Sequence, residues 1–510
     1  MLGLFGRKSD HPLADPKSAQ QLMSELPKND TLKTVQEITG WLESVRADEN
    51  FRLDAQFAVL RLLDETVRPY ERKLTRELYA SSALSRFQEN RLWAALNEFY
   101  VQLSAAYGEV LIGCRDGDKG SAALKPLLPL INARAIQAAI GRLKCAAVRY
   151  LQPDPEVWAL LAVCYGQAEA GKYVEEPVAL YPGLGAGDSV RCQFTSALLW
   201  WISGTGTLQP QQVHLAERLT AHLCRNYTVQ AQPVAGTLLS FTVIQPRPPL
   251  RYTGEGTVQP GQRFVSLGAV PAQLESIIKT LDKGIVPDDI NLGGTYEAGA
   301  VLAVARHLAA QWSSPPPMRR APRRSISVNL HVAGGFAGVL EQTEVGLNFS
   351  SSQIDRWEIE EISSNGFRCV LPAGRAAEVR IGLLLGIRPE NVAHWGAAVV
   401  RRLGRDGDNN LQVGVEMLAS RLQGVALREG SMAGHDDEPA LWLVRSDDDD
   451  GEAWLLMKPD TFSINRSLHM HVQDRKYLLM PLALVEKGED YDCARFRKIE
   501  QDTSSEAEAY

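Results

Sequence analysis

Residues 313–335 read SSPPPMRRAPRRSISVNLHVAGG, and this stretch decides how the chain is divided. Pro315, Pro316 and Pro317 lack the amide donors that a helix needs and have φ fixed at about −65°, so no helix runs through them. Before them, apolar residues recur at steps of three and four. After them, from Ser325 onward, short β-branched runs end in turn residues. The prolines therefore read as a linker between a helical part and a β part, with the main boundary at Ser313–Met318.

On the N-terminal side, residues 16–225 are predicted to form a helical bundle or helical-repeat domain. FRLDAQFAVLRLLDETVRPYERKLTRELY spaces Phe51, Leu53, Phe57, Leu60, Leu63 and Val67 for one helix face, and the segment after Arg86 does the same with Leu92, Leu96, Phe99, Leu103 and Tyr107. Further helices are expected at Ala122–Leu151, Asp154–Lys172, Ser189–Ser203 and Pro210–Arg225, with Pro153, Pro155 and Pro182-Gly183 as boundaries. Residues 226–312 mix strand and helix patterns, and residues 313–324 form the linker and a basic arm.

On the C-terminal side, residues 325–420 alternate as expected for a small barrel or sandwich. The candidate strands are SISVNLHVAGG, TEVGLNFS, RWEIEEIS, GFRCVLP, AEVRIGLLLGIR, WGAAVVRRLG and LQVGVEML. Residues 421–500 form an additional β-rich region, and the tail 501–510 is polar and expected to fray. The fold class is α+β and multidomain, as about 100–200 residues per domain also implies for 510 residues.

Composition narrows the function. With 54 Lys+Arg against 61 Asp+Glu the net charge is −7, so no global basic excess points to DNA, RNA or an anionic membrane surface. No apolar run is long enough to span a bilayer and no leader pattern opens the chain, so a cytoplasmic protein is expected. The seven cysteines, 114, 145, 164, 192, 224, 369 and 493, form no C-x-x-C pair and read as free thiols.

The densest charge feature is RRAPRR, with Arg319, Arg320, Arg323 and Arg324 directly before the first β-run. Guanidinium is planar, always charged and forks onto phosphate oxygens, so four of them beside a rigid β-domain make a phosphate clamp. Taken alone, such a run is a solvated linker or a salt-bridge strip as readily as a site. Downstream, Glu361-Ile-Ser363-Ser364-Asn365-Gly366 forms a turn between two strands. Its serine can bond the turn backbone or a phosphate, its glycine permits positive φ and close ligand approach, and Glu361 can accept from a guanine N–H edge. A polar hairpin turn has the same composition.

Together these features resemble the PilZ family of cyclic-di-GMP receptors, whose signature is an R-x-x-x-R arm before the first strand and a later [D/N]-x-S-x-x-G turn in a six-stranded barrel. The arm occurs here as Arg319–Arg323 and Arg320–Arg324, the turn as Glu361, Ser363 and Gly366, and WGAAVVRRLG with LQVGVEML is similar to the family's closing strands. The likeness covers about residues 318–420. It implies that Arg320 and Arg324 are the principal ligands of the phosphates and guanines of cyclic-di-GMP, with Arg319 and Arg323 as neighbours. Glu361 departs from the family. Its extra methylene, on a C–C bond of about 1.5 Å, moves the carboxylate outward.

No Walker A, H-E-x-x-H or G-x-S-x-G motif is present, so no enzyme is expected. Gly183-Leu-Gly185-Ala-Gly187 and His435–Glu438 read as loops and Asp406–Asn410 as a hairpin turn. His469 and His471 lack a third ligand, so no metal is expected. The sequence thus favours a bacterial-type signal receptor in which cyclic-di-GMP orders the arm and reorients the helical module toward a protein partner. The alternative is an interaction scaffold whose degenerate barrel binds no nucleotide. A hydrolase or transferase pocket in 226–312 is weaker, for want of a paired nucleophile and base.

Overall fold

The computed structural model describes residues 10–80, 84–185, 187–313, 322–343, 354–375, 378–429, 437–445, 451–472 and 475–501. By contact density the chain divides into two compact units, Met1–Met318 and Arg319–Tyr510.

The first unit carries α1 (Pro16–Glu25), α2 (Thr31–Ala47), α3 (Leu53–Ala80), α4 (Arg86–Asp116), α5 (Ser121–Leu124), α6 (Leu128–Ala147), α7 (Pro155–Ala170), α8 (Val190–Trp201), α9 (Pro210–His222), α10 (Val270–Leu281) and α11 (Ala298–Gln311). The three-and-four spacing of α3 puts Phe57, Leu60, Leu63 and Val67 into the core. α4 starts on a reciprocal capping box, Ser85 with Gln88, and stops at Gly117, whose φ of 79° is left-handed. α6 is buried on nearly all sides. Its small residues let α4 come close: a side chain at Gly141 would lie 2.2 Å from the Tyr100 ring.

Residues 226–312 belong to this same unit. Strands β1 (Thr228–Gln230), β2 (Thr237–Thr242), β3 (Leu250–Arg251) and β4 (Gln262–Ser266) form an antiparallel sheet in the order β1-β4-β2-β3, and Leu239, Phe241 and Val265 join the helical core. Inside that core lies an ionic cluster. Asp64 is fully buried and accepts from Arg68 at 2.5 Å and from the Tyr107 hydroxyl at 2.5 Å, with Arg134 at 3.6 Å. The Arg68 and Arg134 guanidiniums also lie over Tyr181, 4.2 and 4.6 Å from its ring centre. Buried charges persist only when paired and hydrogen-bonded, as these are.

The second unit holds two closed barrels. The first comprises β5 (Arg324–Gly334), β6 (Asp355–Ser363), β7 (Gly366–Leu371), β8 (Leu384–Pro389), β9 (Gly396–Arg405) and β10 (Leu411–Ala419). The second comprises β11 (Arg421–Arg428), β12 (Glu438–Val444), β13 (Glu452–Met457), β14 (Leu468–Val472), β15 (Arg475–Lys487) and β16 (Asp492–Gln501). Around the ring the first runs β5-β6-β7-β10-β9-β8 and the second β11-β12-β13-β16-β15-β14. Strand by strand these are the same connectivity, so the barrel topology occurs twice in tandem.

The additional β-rich region 421–500 thus closes on itself as a second barrel, through β11 (RLQGVALR), which the sequence analysis did not identify. Only Ser420 separates β10 from β11. The strand expected over AEVRIGLLLGIR is confined to β8, and the one expected over TEVGLNFS lies almost wholly outside the described residues. A short helix, α12 (Gly335–Glu341), follows β5, and its Phe336 and Val339 share a core with residues of both barrels, among them Val399, Leu422, Leu441 and Tyr491. At this joint Arg401 donates to both oxygens of Glu486 at 2.6 Å and to Glu416 at 2.7 Å. Burial raises the Glu486 carboxyl pKa, but the Arg401 bonds outweigh it and hold the group below the usual carboxylate range.

Candidate functional site

The site is built at one end of the first barrel, where β5 begins and the β6–β7 hairpin turns. Arg324 is the first residue of β5 and pairs across the sheet with Ile362, and Ser325 pairs with Glu361. Arg323, one residue earlier, donates from Nη1 to Oε2 of Glu361 at 2.8 Å. The other oxygen of Glu361 lies 3.1 Å from Nη2 of Arg368, which also contacts Glu360 at 3.2 Å. One carboxylate therefore ties the end of the arm to β7. Arg319 and Arg320 lie outside the described residues.

The hairpin is tight, with Ser363 opposite Gly366. The Ser363 hydroxyl donates to the Gly366 carbonyl at 3.1 Å, and the Met417 amide donates to the Asn365 carbonyl at 2.9 Å. Glycine is required at 366, though its φ is not positive. A Cβ there would stand 2.0 Å from the Val415 carbonyl oxygen of β10. The neighbouring strand β10 therefore makes a close approach at this glycine.

Arg368 is a site residue that the sequence reading missed. The alternation of GFRCVL buries Phe367, Cys369 and Leu371 and turns Arg368 outward, directly opposite Glu361 on one side and Gly414 on the other. Gly414 in turn faces Arg402 on β9. The outer surface thus carries a row Ser325, Glu361, Arg368, Gly414, Arg402, in which Gly414 brings β10 close to Arg402, whose Cβ lies 3.2 Å from where a side chain at 414 would start. The Nε of Arg368 is buried and has no hydrogen-bond partner among the described residues, a donor left for a ligand atom or water. Chemically the arrangement can bind an anion: two guanidiniums, of Arg323 and Arg368, converge on one carboxylate for which an anion could substitute.

Elsewhere, Gly183 sits in a turn, the Leu184 amide donating to Tyr181, and the amides of Asp408 and Asn410 donate to Asp406 in the β9–β10 hairpin. Among the described residues no group of three or more His, Cys, Asp or Glu could hold a metal ion, and no helix is long and apolar enough to cross a membrane.

Residues 17–233, under half of the chain, match the family model described as "Cyclic-di-GMP receptor FimW, N-terminal domain". The match falls on the helical unit through β1, and the PilZ-like stretch at about 318–420 lies outside it. No curated protein and no solved structure matches the chain.

Proposed function

We propose that this protein is a non-enzymatic cyclic-di-GMP receptor that binds its ligand at the open end of the first barrel and signals through its helical unit to a partner protein. The observation that carries this is the convergence of Arg323 and Arg368 on Glu361, on a rigid scaffold, with Arg324 at the start of the adjacent strand. The match of residues 17–233 to a family described as a cyclic-di-GMP receptor supports the same ligand independently of the barrel.

In this reading Arg319, Arg320, Arg323 and Arg324 take the phosphates and stack on the guanines. Ser363 and Gly366 fix the hairpin beneath them. Glu361 acts through its two arginines: without ligand it holds Arg323 on the barrel, and the incoming phosphate replaces that carboxylate. Exchanging one anion for another on the arm is a switch of the charge-pairing kind, which the proline linker conveys to the helical unit.

Hydrogen exchange on the full chain, with and without cyclic-di-GMP, tests the reading. Slower exchange at residues 319–324 and 361–368, accompanied by a change within residues 17–233, is the expected result. Identical exchange in both states at saturating nucleotide rejects it.

A further inference from the structure

We propose, independently of the nucleotide reading, that the outer face of β15 and β16 is a docking surface for an amphipathic helix of a partner protein, with acidic residues flanking its apolar stripe. The two barrels repeat in detail as well as in connectivity. β9 and β10 shift register between Gly414, opposite Arg402, and Val415, opposite Val400. β15 and β16 make the same shift between Arg495, opposite Ala483, and Phe496, opposite Pro481. The hairpins are docked alike too: the Met417 amide donates to the Asn365 carbonyl at 2.9 Å, and the Lys498 amide to the Gly451 carbonyl at 2.7 Å. These fixed points place Met480 where the first barrel has Val399, Leu478 where it has Ala397, and Ile499 where it has Leu418.

In the first barrel these positions are covered. Ala397 and Val399 are fully buried, and with Leu418 they share a core with Phe336, Val339 and Leu340 of α12, a short helix that turns its apolar side to the barrel. In the second barrel the same positions carry larger side chains and lie open: Met480 and Ile499 are each 41% exposed, and Leu478 is half-buried. Leu478 stands opposite Ile499, with Met480 two residues along, so the three form one apolar patch rather than scattered single residues. Two differences define the occupant. Under α12 lies Gly386, where a Cβ would stand 3.2 Å from Val339. The second barrel has His469 there, which moves a helix off β14 and over β15 and β16. Glu416, which accepts from Arg401, is replaced by Arg497, exposed and with no carboxylate partner among the described residues. Lys476 and Arg497 therefore bracket the patch. From Lys476 to Met480 is about 13 Å at about 3.3 Å per strand residue, the length of about nine helical residues at about 1.5 Å each. Apolar residues three and four apart between acidic ends match this surface in shape and charge.

The test titrates the full-length protein into a fluorescein-labelled, alanine-based peptide with leucines three and four apart and glutamates at both ends, about 20 residues long so that it is helical on its own. Fluorescence anisotropy should show saturable binding. Met480→Asp should weaken it about tenfold or more, because a carboxylate would be buried under the helix, and Arg497→Glu about fivefold or more by setting like charges together. Lysines in place of the peptide's glutamates should weaken binding to the wild type likewise. Both substituted side chains are exposed, so circular dichroism should match the wild type. No saturable binding at millimolar concentration, or equal binding by wild type and Met480→Asp, would overturn the proposal. So would a dimer in sedimentation velocity that Met480→Asp abolishes, since a second copy of the chain would then be the occupant.

Discussion

Replacing Arg323 by alanine removes one guanidinium from the arm, and the structure gives both sides of its effect. A charge-assisted contact to a ligand phosphate contributes about 1.5–3 kcal/mol. Against this, in the free protein Arg323 is tied to Glu361, with side chains 34% and 26% exposed, and a half-exposed pair of this kind contributes only about 0.2–1 kcal/mol, which the ligand must displace. The net loss is about 1–2 kcal/mol, a five- to thirtyfold weaker Kd by the usual conversion of about 1.4 kcal/mol per tenfold. Calorimetric titration of cyclic-di-GMP against wild type, Arg323→Ala, Glu361→Ala and the double variant measures it. Because Glu361 is held to act through its arginines, Glu361→Ala in the Arg323→Ala background should change Kd by less than about fivefold, the largest effect expected from its surface pair with Arg368. A change below about twofold for Arg323→Ala alone would refute the clamp. A full loss of about 1–3 kcal/mol on adding Glu361→Ala would mean that the carboxylate touches the ligand itself.

Gly366→Ala should destabilise the second unit by about 1–3 kcal/mol in urea unfolding, since its methyl would overlap the Val415 carbonyl. Asp64→Ala should cost the helical unit about 3 kcal/mol by breaking the buried pairs of Asp64 with Arg68 and Arg134, which then keep only Glu71 at 3.7 Å and Glu65 at 2.7 Å, and guanidinium denaturation followed by tryptophan fluorescence checks it. His214 is lowered to about 3 by burial and by Lys144, whose ammonium lies 2.6 Å away. Between its ordinary value of about 6.5 and 3, the unfolded chain binds a proton that the folded chain does not, so stability falls as pH falls, by up to about 1.4 kcal/mol per pH unit. His214→Gln should flatten that slope in melts between pH 6.5 and 4.

Much of this molecule was legible in the order of its residues. The helix faces of α3 and α4 are visible because each buries one stripe, and Pro155 opens α7 with Pro153 just before it, whereas Pro182 lies in the connection between α7 and α8. The α12 turn is too short and glycine-rich for periodicity to register. β11 escaped notice because Gly424 interrupts its alternation and a single residue, rather than a turn signal, precedes it. Closure of the second barrel depends on β11 meeting β14 and β13 meeting β16, and alternation states which face a residue takes but not which strand lies beside it. Arg368 followed from the alternation of GFRCVL, yet only its register opposite Glu361 makes it part of the site. Gly366 was singled out for positive φ and close ligand approach, whereas the constraint visible in the structure comes from β10, more than 40 residues further along the chain.

The central claim is that the first barrel and its arginine arm bind cyclic-di-GMP. Equilibrium dialysis of radiolabelled cyclic-di-GMP against the full-length protein, with GTP as competitor and Arg320→Ala/Arg324→Ala as the paired control, tests it most directly. The account predicts saturable binding to the wild type that excess GTP does not displace and that the double variant loses. Absence of saturable binding to a folded wild type, or equal binding by wild type and the folded double variant, would contradict it.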